Sequence, residues 1–594
     1  MGKRYLLAAL NAKYIHSNLG IYSLKAYAGR RFPGADICLG EYTINHRPDA
    51  ILGDIYRRRP DVLGFSCYIW NIDMVRRLVR DVKAVLPGTE IWLGGPEVSY
   101  DAGRVMEELG ELSGIMTGEG EETFARLVEY YEGGGDGLSS IPGLVYRRED
   151  GSTADTGAAP LMDMSAMPFS YENLEGLENR IVYYESSRGC PFSCSYCLSS
   201  IDKSVRFRDL SLVYRELKFF LDRRVPQVKF VDRTFNCKKS HALAIWRFLL
   251  ENDNGVTNFH FEVAADLMDE EMFALIKRMR PGLIQLEIGV QTVNPSSIRE
   301  IRRQMDLVKV EAAVARVKSF QNTHQHLDLI AGLPFEDLES FRRSFDCVYA
   351  MGPDQLQLGF LKVLKGSYME EMAASYGLLH GAEPPYEVLS TRWLSYGDIL
   401  ELKGVEEMTE VYYNSGQFPG ALKFLEKLFS SPYALFHALA GFTDSQGFGG
   451  VSVSRLARYE ILWKFGSKLL GRQAAAAGGA SCGLGENAPN RRFARALTQD
   501  LYLRENAKSR PSFAGDQSLY KDAAREFFIR EGRERRYLKN YEGFDSKQLA
   551  KMAHLEVFPD GEALLFDYRN RNPLTGNAAV HRIALSGAGG EDGV

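Results

Sequence analysis

The sequence predicts an α/β protein in three parts. These are a doubly wound N-terminal domain over residues 1–135, a partial (β/α)6 barrel over 181–385 and a mostly helical region over 386–594, with a connector at 136–180. Three observations predict this. Short apolar runs alternate with helical patterns through the first 130 residues, as in a parallel sheet covered on both faces. Six further strand–helix pairs follow within about 190 residues of Val182. Strand signals then stop near Pro385, and helical periodicity takes over.

In the first domain, Arg4–Leu10, Ile37–Ile44, Val62–Tyr68, Glu90–Leu93 and Ile115–Thr117 read as strands. Leu19–Arg31, Met74–Leu86 and Thr123–Tyr131 carry helical spacing. A signal peptide does not fit the N-terminus, because the apolar stretch is short and Asn11 and Lys13 interrupt it. Leu6 stands where a myristoylation signal needs Ser or Thr. Gly133–Gly137 breaks the pattern, and Leu144–Arg147 with the turn at Asp150-Gly151 predicts a small hairpin in the connector.

The barrel strands are expected at Val182–Ser186, Gln227–Val231, His260–Val263, Leu283–Val290, His326–Ile330 and Gln355–Leu361. Beyond them, Leu389–Tyr413, Gly420–Phe429, Pro432–Ala440, Val453–Leu470 and Asp522–Arg530 read as helices. Gln473–Asn490 reads as a surface linker, Leu555–Phe558 and Ala563–Tyr568 as a terminal hairpin, and 586–594 as a disordered tail.

Composition narrows the function classes. Of 594 residues, 45% are hydrophobic and 25% charged, enough apolar material for several cores. The net charge of −5 provides no global attraction to nucleic acid or anionic membranes. The basic clusters Arg491-Arg492 and Arg530–Lys539 read as solvated helix faces, so no nucleic-acid partner is expected. No apolar run reaches about 18 residues, so no membrane span is expected. Eight cysteines are too sparse for a disulfide scaffold and suit a reducing, cytoplasmic setting.

Three of those cysteines, Cys190, Cys194 and Cys197, form CxxxCxxC just after the Val182–Ser186 strand. Four thiolates saturate a [4Fe–4S] cube, so three leave one iron open for the amino and carboxylate groups of a ligand. Zinc would favour four ligands in paired spacing, and Cys237, Cys347 and Cys482 stand alone. The loop falls at the carboxyl end of a barrel strand, where barrel sites form.

With Tyr196 immediately before the third cysteine, Ser187–Cys197 resembles the signature of the radical S-adenosylmethionine (SAM) superfamily. The resemblance implies reductive cleavage of SAM to a 5′-deoxyadenosyl radical, with Cys190, Cys194 and Cys197 as cluster ligands. It also implies SAM contacts at Asp232 in Phe230–Asn236, at Glu287 and Gln291 in Leu286–Thr292, and at Gly332 in the turn of His326–Pro334. Glu287 and Gln291 are even steps apart and share one strand face. Glu262, ending its own strand, is a further candidate for the barrel interior, and Lys365 for the substrate side.

A doubly wound, Rossmann-like domain ahead of such a barrel resembles cobalamin-binding radical SAM proteins, in a subgroup with a helical C-terminal extension. The residues that carry it are Ser66–Asn71, Gly94-Gly95-Pro96-Glu97 and Gly118-Glu119-Gly120-Glu121, all at carboxyl ends of strands, where open sheets bind ligands. The resemblance implies that Ser66, Asn71, Gly94, Gly95, Gly118 and Gly120 contact cobalamin. The DxHxxG signature is absent, so no histidine is expected on cobalt, and His16 reads as a polar loop residue. The implied activity is methyl transfer to an unactivated carbon of a small molecule, with flavodoxin or ferredoxin as reductant. Two alternatives are an RNA-modifying, methylthiotransferase-like enzyme, for which Cys38 and Cys67 are too few to hold a second cluster, and a non-catalytic redox or cobalamin-binding protein.

Overall fold

A computed structural model describes residues 2–451, 453–476 and 488–584. It divides the chain into two compact units. The first runs to Gln325 and adds Ile330–Leu338 and Gly359–Tyr396; the second comprises His326–Leu329, Glu339–Leu358 and the chain from Gly397.

The first unit opens with a seven-stranded sheet: β1 (Arg4–Asn11), β2 (Asp36–Thr43), β3 (Val62–Ser66), β4 (Glu90–Gly94), β5 (Gly114–Met116), β6 (Leu144–Arg147) and β7 (Thr153–Asp155), in the order β2-β1-β3-β4-β5-β6-β7. The first five pair in parallel. Leu6, Ala8 and Leu10 of β1 enter one apolar core while Tyr5, Leu7 and Ala9 enter another, so the strand is buried on both faces. The expected connector hairpin is present as β6 and β7, which extend this sheet antiparallel from β5.

The second sheet contains β8 (Val182–Tyr184), β11 (Gln227–Phe230), β12 (Asn258–Glu262), β13 (Ile284–Gln291), β14 (His324–Ala331) and β15 (Gln355–Phe360), ordered β15-β14-β13-β12-β11-β8. Sequence order is spatial order, as in a barrel that stays open. Short strands β9 (Ser187–Arg188) and β10 (Arg206–Phe207) pair antiparallel and close the loop that carries the three cysteines.

Strand alternation sorts the side chains. Tyr184 turns its hydroxyl to Glu216 of the helix Leu210–Asp222, and Phe230 and Phe261 pack edge-to-face against Phe235 and Trp246 respectively on the helical side. On the other face, Tyr183, Lys229 and His260 are register partners across β8, β11 and β12. Glu262 faces Glu287 one step further on.

The second unit is mainly helical, with helices including Tyr396–Met408, Pro419–Leu425, Pro432–Ser445, Arg455–Ala476, Ala488–Arg504 and Lys521–Glu534. It also holds an antiparallel sheet of three strands, His554–Val557, Ala563–Arg571 and Ala578–Ile583, one more than the expected hairpin. Flanks of the expected linker are helical, ending at Ala476 and resuming at Ala488. Residues 477–487, with Cys482, and the expected disordered tail at 586–594 lie outside the described residues. Among the described residues, no helix is long and apolar enough to cross a membrane.

Candidate functional site

The cysteine loop leaves the sheet through a glycine that no other residue can replace without strain. Gly189 has φ 94°, and a Cβ there would lie 2.4 Å from the Ser204 carbonyl oxygen. The loop is then pinned by backbone bonds from Cys190 N to Asp202 O at 3.2 Å and from Ser195 N to Ile301 O at 3.0 Å. Cys190 and Cys194 are buried, and all three cysteines are free thiols. A [4Fe–4S] cube held by three thiolates keeps one iron open for a ligand. The donor set therefore fits an iron–sulfur cube with one open iron.

The surroundings of the thiols are polar on one side. Cys190 Sγ lies 3.8 Å from Thr234 Oγ1, and burial pushes this thiol up. Arg303 Nη1 donates toward Cys194 Sγ at 3.8 Å and to the Tyr196 hydroxyl at 3.4 Å. Arg303 Nη2 donates to the Gly289 carbonyl, and its buried Nε has no protein partner. Burial opposes the charge of Arg303, but Tyr196 and Cys194 raise its affinity for the proton. Tyr196 is thus drawn to Arg303 beside the second cysteine. Arg303 was not legible as a site residue: it lies 109 positions from Cys194 in sequence, beyond any local spacing rule. Tyr100 and Cys237 also belong to this neighbourhood, interacting with Cys197 and Cys190 respectively.

Asp232, the expected SAM contact, is bonded within the chain. Its Oδ1 accepts from Ser186 N at 2.8 Å, and its Oδ2 accepts from the Ser186 and Ser187 hydroxyls at 2.6 Å each. Ser186 Oγ also lies 3.0 Å from His241 Nε2. Burial pushes Asp232 up to about 6 and His241 down to about 4. Three donors from this chain occupy the carboxylate, so Asp232 fixes the strand end that leads into the cysteine loop.

Glu287 is likewise engaged, with Lys229 Nζ at 2.8 Å and His260 Nε2 at 3.0 Å. Burial raises its pKa, but His260 and Lys229 more than offset this and hold the carboxyl well below its usual range. Gln291 differs. It adopts φ 71°, folds its amide over Gly289, and leaves its buried Oε1 without a protein partner. An orphaned buried acceptor at the end of β13 suits a ligand donor. Gly332 has φ 93°, and the space beside it is filled: a Cβ would meet Val388 Cγ1 at 2.7 Å. Glycine here serves close packing of the turn.

In the first domain, a cavity of about 140 Å³ opens at the carboxyl ends of β3, β4 and β5, beside Leu7 of β1. Ser66, Tyr68, Gly94, Gly95, Gly118, Gly120 and Glu121 line it together with apolar side chains such as Ile21 and Met116. Gly118 has φ 72° and no heavy atom within 4 Å of where a Cβ would stand. A cavity of this size takes about one aromatic ring, as engineered apolar cavities of about 150 Å³ do. It fits the insertion of one ring of a larger cofactor. Asn71 is outside the cavity lining: its Oδ1 accepts from Tyr68 N, and its Nδ2 donates to the Leu10 and Ser66 carbonyls. It anchors the loop from within. His16 Nδ1 lies 2.7 Å from the Tyr183 hydroxyl, a polar loop contact as its sequence context suggests.

The acidic residues between those glycines reach the cysteine loop. Glu121 accepts from both terminal nitrogens of Arg188, at 3.3 and 2.8 Å, and from Ser23 Oγ at 3.0 Å. Glu119 accepts from Arg206 Nη1 at 3.0 Å and pairs with Arg188 at 3.4 Å.

Family profiles match three segments: a B12 binding domain at residues 5–128, the radical SAM superfamily at 184–348, and a protein family of unknown function, DUF4080, at 374–569. A curated relative, the cobalamin-dependent radical SAM methyltransferase TokK of Streptomyces tokunonensis, is 26% identical over 54% of this chain and 50% of its own length. The chain spans about half the length of that relative. Among solved structures, OxsB, a cobalamin-dependent S-adenosylmethionine radical enzyme, aligns with TM-score 0.58 at 15% identity, covering 84% of this chain and 83% of its own. TsrM, a radical S-adenosylmethionine methyltransferase of Kitasatospora setae, aligns with TM-score 0.54 at 18% identity over 64% and 76%. At these identities the two structures bear on the fold.

Proposed function

We propose, for a chain that joins a B12-binding domain, a radical SAM domain and a DUF4080 domain, a cobalamin-dependent radical SAM enzyme that transfers a methyl group to an unactivated carbon of a small molecule. The observation that carries this reading is the loop of three free thiols, Cys190, Cys194 and Cys197, at the end of β8. The cavity at the strand ends of the first domain supports the cobalamin part, and the methyltransferase relatives support the reaction class.

When bound, the cluster supplies the electron that cleaves SAM to a 5′-deoxyadenosyl radical, and cobalamin supplies a methyl group. Cys190, Cys194 and Cys197 would hold the cluster. Gln291 would accept a hydrogen bond from SAM through its orphaned Oε1. Ser66, Tyr68 and the glycine edges at Gly94, Gly95, Gly118 and Gly120 would admit cobalamin. Arg303 sets a buried positive charge beside Cys194, and Asp232 keeps the loop's entry strand in place. A flavodoxin or ferredoxin is the proposed reductant, and the free thiols of the described cysteines suit a cytoplasmic setting.

Anaerobic reconstitution with iron, sulfide and hydroxocobalamin tests this. The expected product contains about four iron atoms per chain, binds cobalt stoichiometrically and forms 5′-deoxyadenosine from SAM under reduction. Cys194→Ala is expected to lose the iron and the 5′-deoxyadenosine together. Iron without cobalt after reconstitution would remove cobalamin from the reading, and SAM cleavage by Cys194→Ala would remove the cluster.

A further inference from the structure

The neck of the cysteine loop presents an electrostatic problem of its own. Arg188 and Arg206 are register partners in the antiparallel pair β9–β10, one on each side of the loop. Directly opposed residues in such a pair stand with Cα atoms about 5 Å apart. Both side chains are 20% exposed or less, so water screens their mutual repulsion poorly. Two like charges opposite one another weaken strand pairing.

Glu185, three residues before Arg188, accepts from its Nε at 3.0 Å and its Nη2 at 2.7 Å, and the first domain supplies further counter-charge to both arginines. Glu119 pairs with both arginines, donating nothing and accepting from Arg206 Nη1 and Nη2. Glu121 takes Arg188 in a two-oxygen fork, the geometry in which guanidinium and carboxylate pair best. Asp202, inside the loop, accepts from Arg206 at 2.9 Å, and its carbonyl receives the amide of Cys190. A continuous path of ion pairs and hydrogen bonds therefore runs from Glu119 through Arg206 and Asp202 to the first cysteine. At its other end, Glu121 and its neighbours Gly118 and Gly120 form a wall of the cavity.

We infer that Glu119 and Glu121 are positioning residues for the cluster loop, a carboxylate clamp carried on the cavity wall that, with Glu185 and Asp202, neutralises the two arginines at the loop's neck and couples a filled cavity to an ordered loop. This rests on the proposed reading of the loop and cavity as cluster and cobalamin sites. Coupling of this kind is reciprocal: whatever the cluster does for cobalamin affinity, cobalamin does for the cluster.

The test uses the full chain, reconstituted anaerobically, as parent, Glu119→Gln, Glu119→Asp and Glu119→Gln/Arg206→Gln. Iron content, the electron paramagnetic resonance spectrum of the reduced cluster and its midpoint potential are read, with circular dichroism as the folding control. Expected are lowered iron content and an altered spectrum and potential in Glu119→Gln. Glu119→Asp and the double variant, which removes one of the two opposed charges, are expected to recover toward the parent. If Glu119→Gln does not fold, Glu121→Gln carries the same comparison. Hydroxocobalamin affinity is then measured with the cluster present and in a Cys190→Ala/Cys194→Ala/Cys197→Ala chain. The parent is expected to lose at least about fivefold without the cluster, and Glu121→Gln to show no such difference. Parental iron content, spectrum and potential in Glu119→Gln, a double variant no better than the single, or a cobalamin affinity indifferent to the cluster would each overturn the clamp. A parent chain that assembles no cluster would overturn the functional reading itself, and the clamp with it.

Discussion

Single residues around the three thiols divide by what occupies their polar atoms. Asp232 is saturated by the Ser186-Ser187 turn, Glu287 by Lys229 and His260, while Gln291 Oε1 and Arg303 Nε lack protein partners. A guanidinium beside a cluster sulfur stabilises the more negative, reduced state. Arg303→Met is therefore expected to lower the cluster's midpoint potential. A hydrogen bond to a charged group is worth about 1.5–3 kcal/mol, and about 1.4 kcal/mol corresponds to 59 mV for one electron, so a shift of several tens of mV should appear in a redox titration. An unchanged potential would mean the contact with Cys194 carries no energy. Gly189→Ala forces a Cβ onto the Ser204 carbonyl at positive φ, which costs about 1–3 kcal/mol. Lower iron retention than the parent under chelator challenge is its expected signature.

Among elements, the cavity is the testable feature. Gly120 begins the helix Gly120–Tyr131 and lines the cavity, and a Cβ there would approach Leu24 Cδ2 at 3.1 Å. Gly120→Met keeps an ordinary helical backbone, improves helix propensity, and fills the space from one wall. Cobalamin affinity should drop by at least about tenfold, or 1.4 kcal/mol, read by absorbance titration, while iron incorporation in cobalamin-free protein stays near the parental value. Parental cobalamin affinity would place the ligand outside this cavity. Most elements themselves were legible. Alternating apolar strands and capped helices are local patterns, and the strands β1, β3, β4, β8 and β11–β15 fall where those patterns put them. The third C-terminal strand, Ala578–Ile583, was not, because AAVHRI lacks a strong alternating signal and gains its strand from pairing with Ala563–Arg571.

For the molecule as a whole, stability is expected to depend on pH through a buried acid in the helical unit. Asp500 accepts from Gly420 N and Ala421 N, capping the helix Pro419–Leu425. Burial pushes it up to about 7 from 3.8. Between those values the folded chain holds a proton that the unfolded chain releases, so stability falls as pH rises through the window, by roughly 4 kcal/mol in all. Asp500→Asn retains an acceptor and loses the titration. Its thermal midpoint should therefore decline less between pH 5 and 7 than the parent's, and equal declines would refute the assignment.

The sequence by itself determined the alternation of strands and helices, the three-cysteine loop at a strand end, and the glycines at the edge of the first sheet. Each is a pattern within a dozen residues, where chain geometry alone brings the groups together. Only tertiary structure decided what the flanking polar residues do. Glu121 meets Arg188 across 67 positions and Arg303 meets Cys194 across 109. Asp232 is held by Ser186 and Ser187 because burial demands that its carboxylate be hydrogen-bonded, and these donors belong to the loop's own entry strand. Spacing identifies which residues can carry chemistry, whereas desolvation and charge pairing between distant segments assign them their roles.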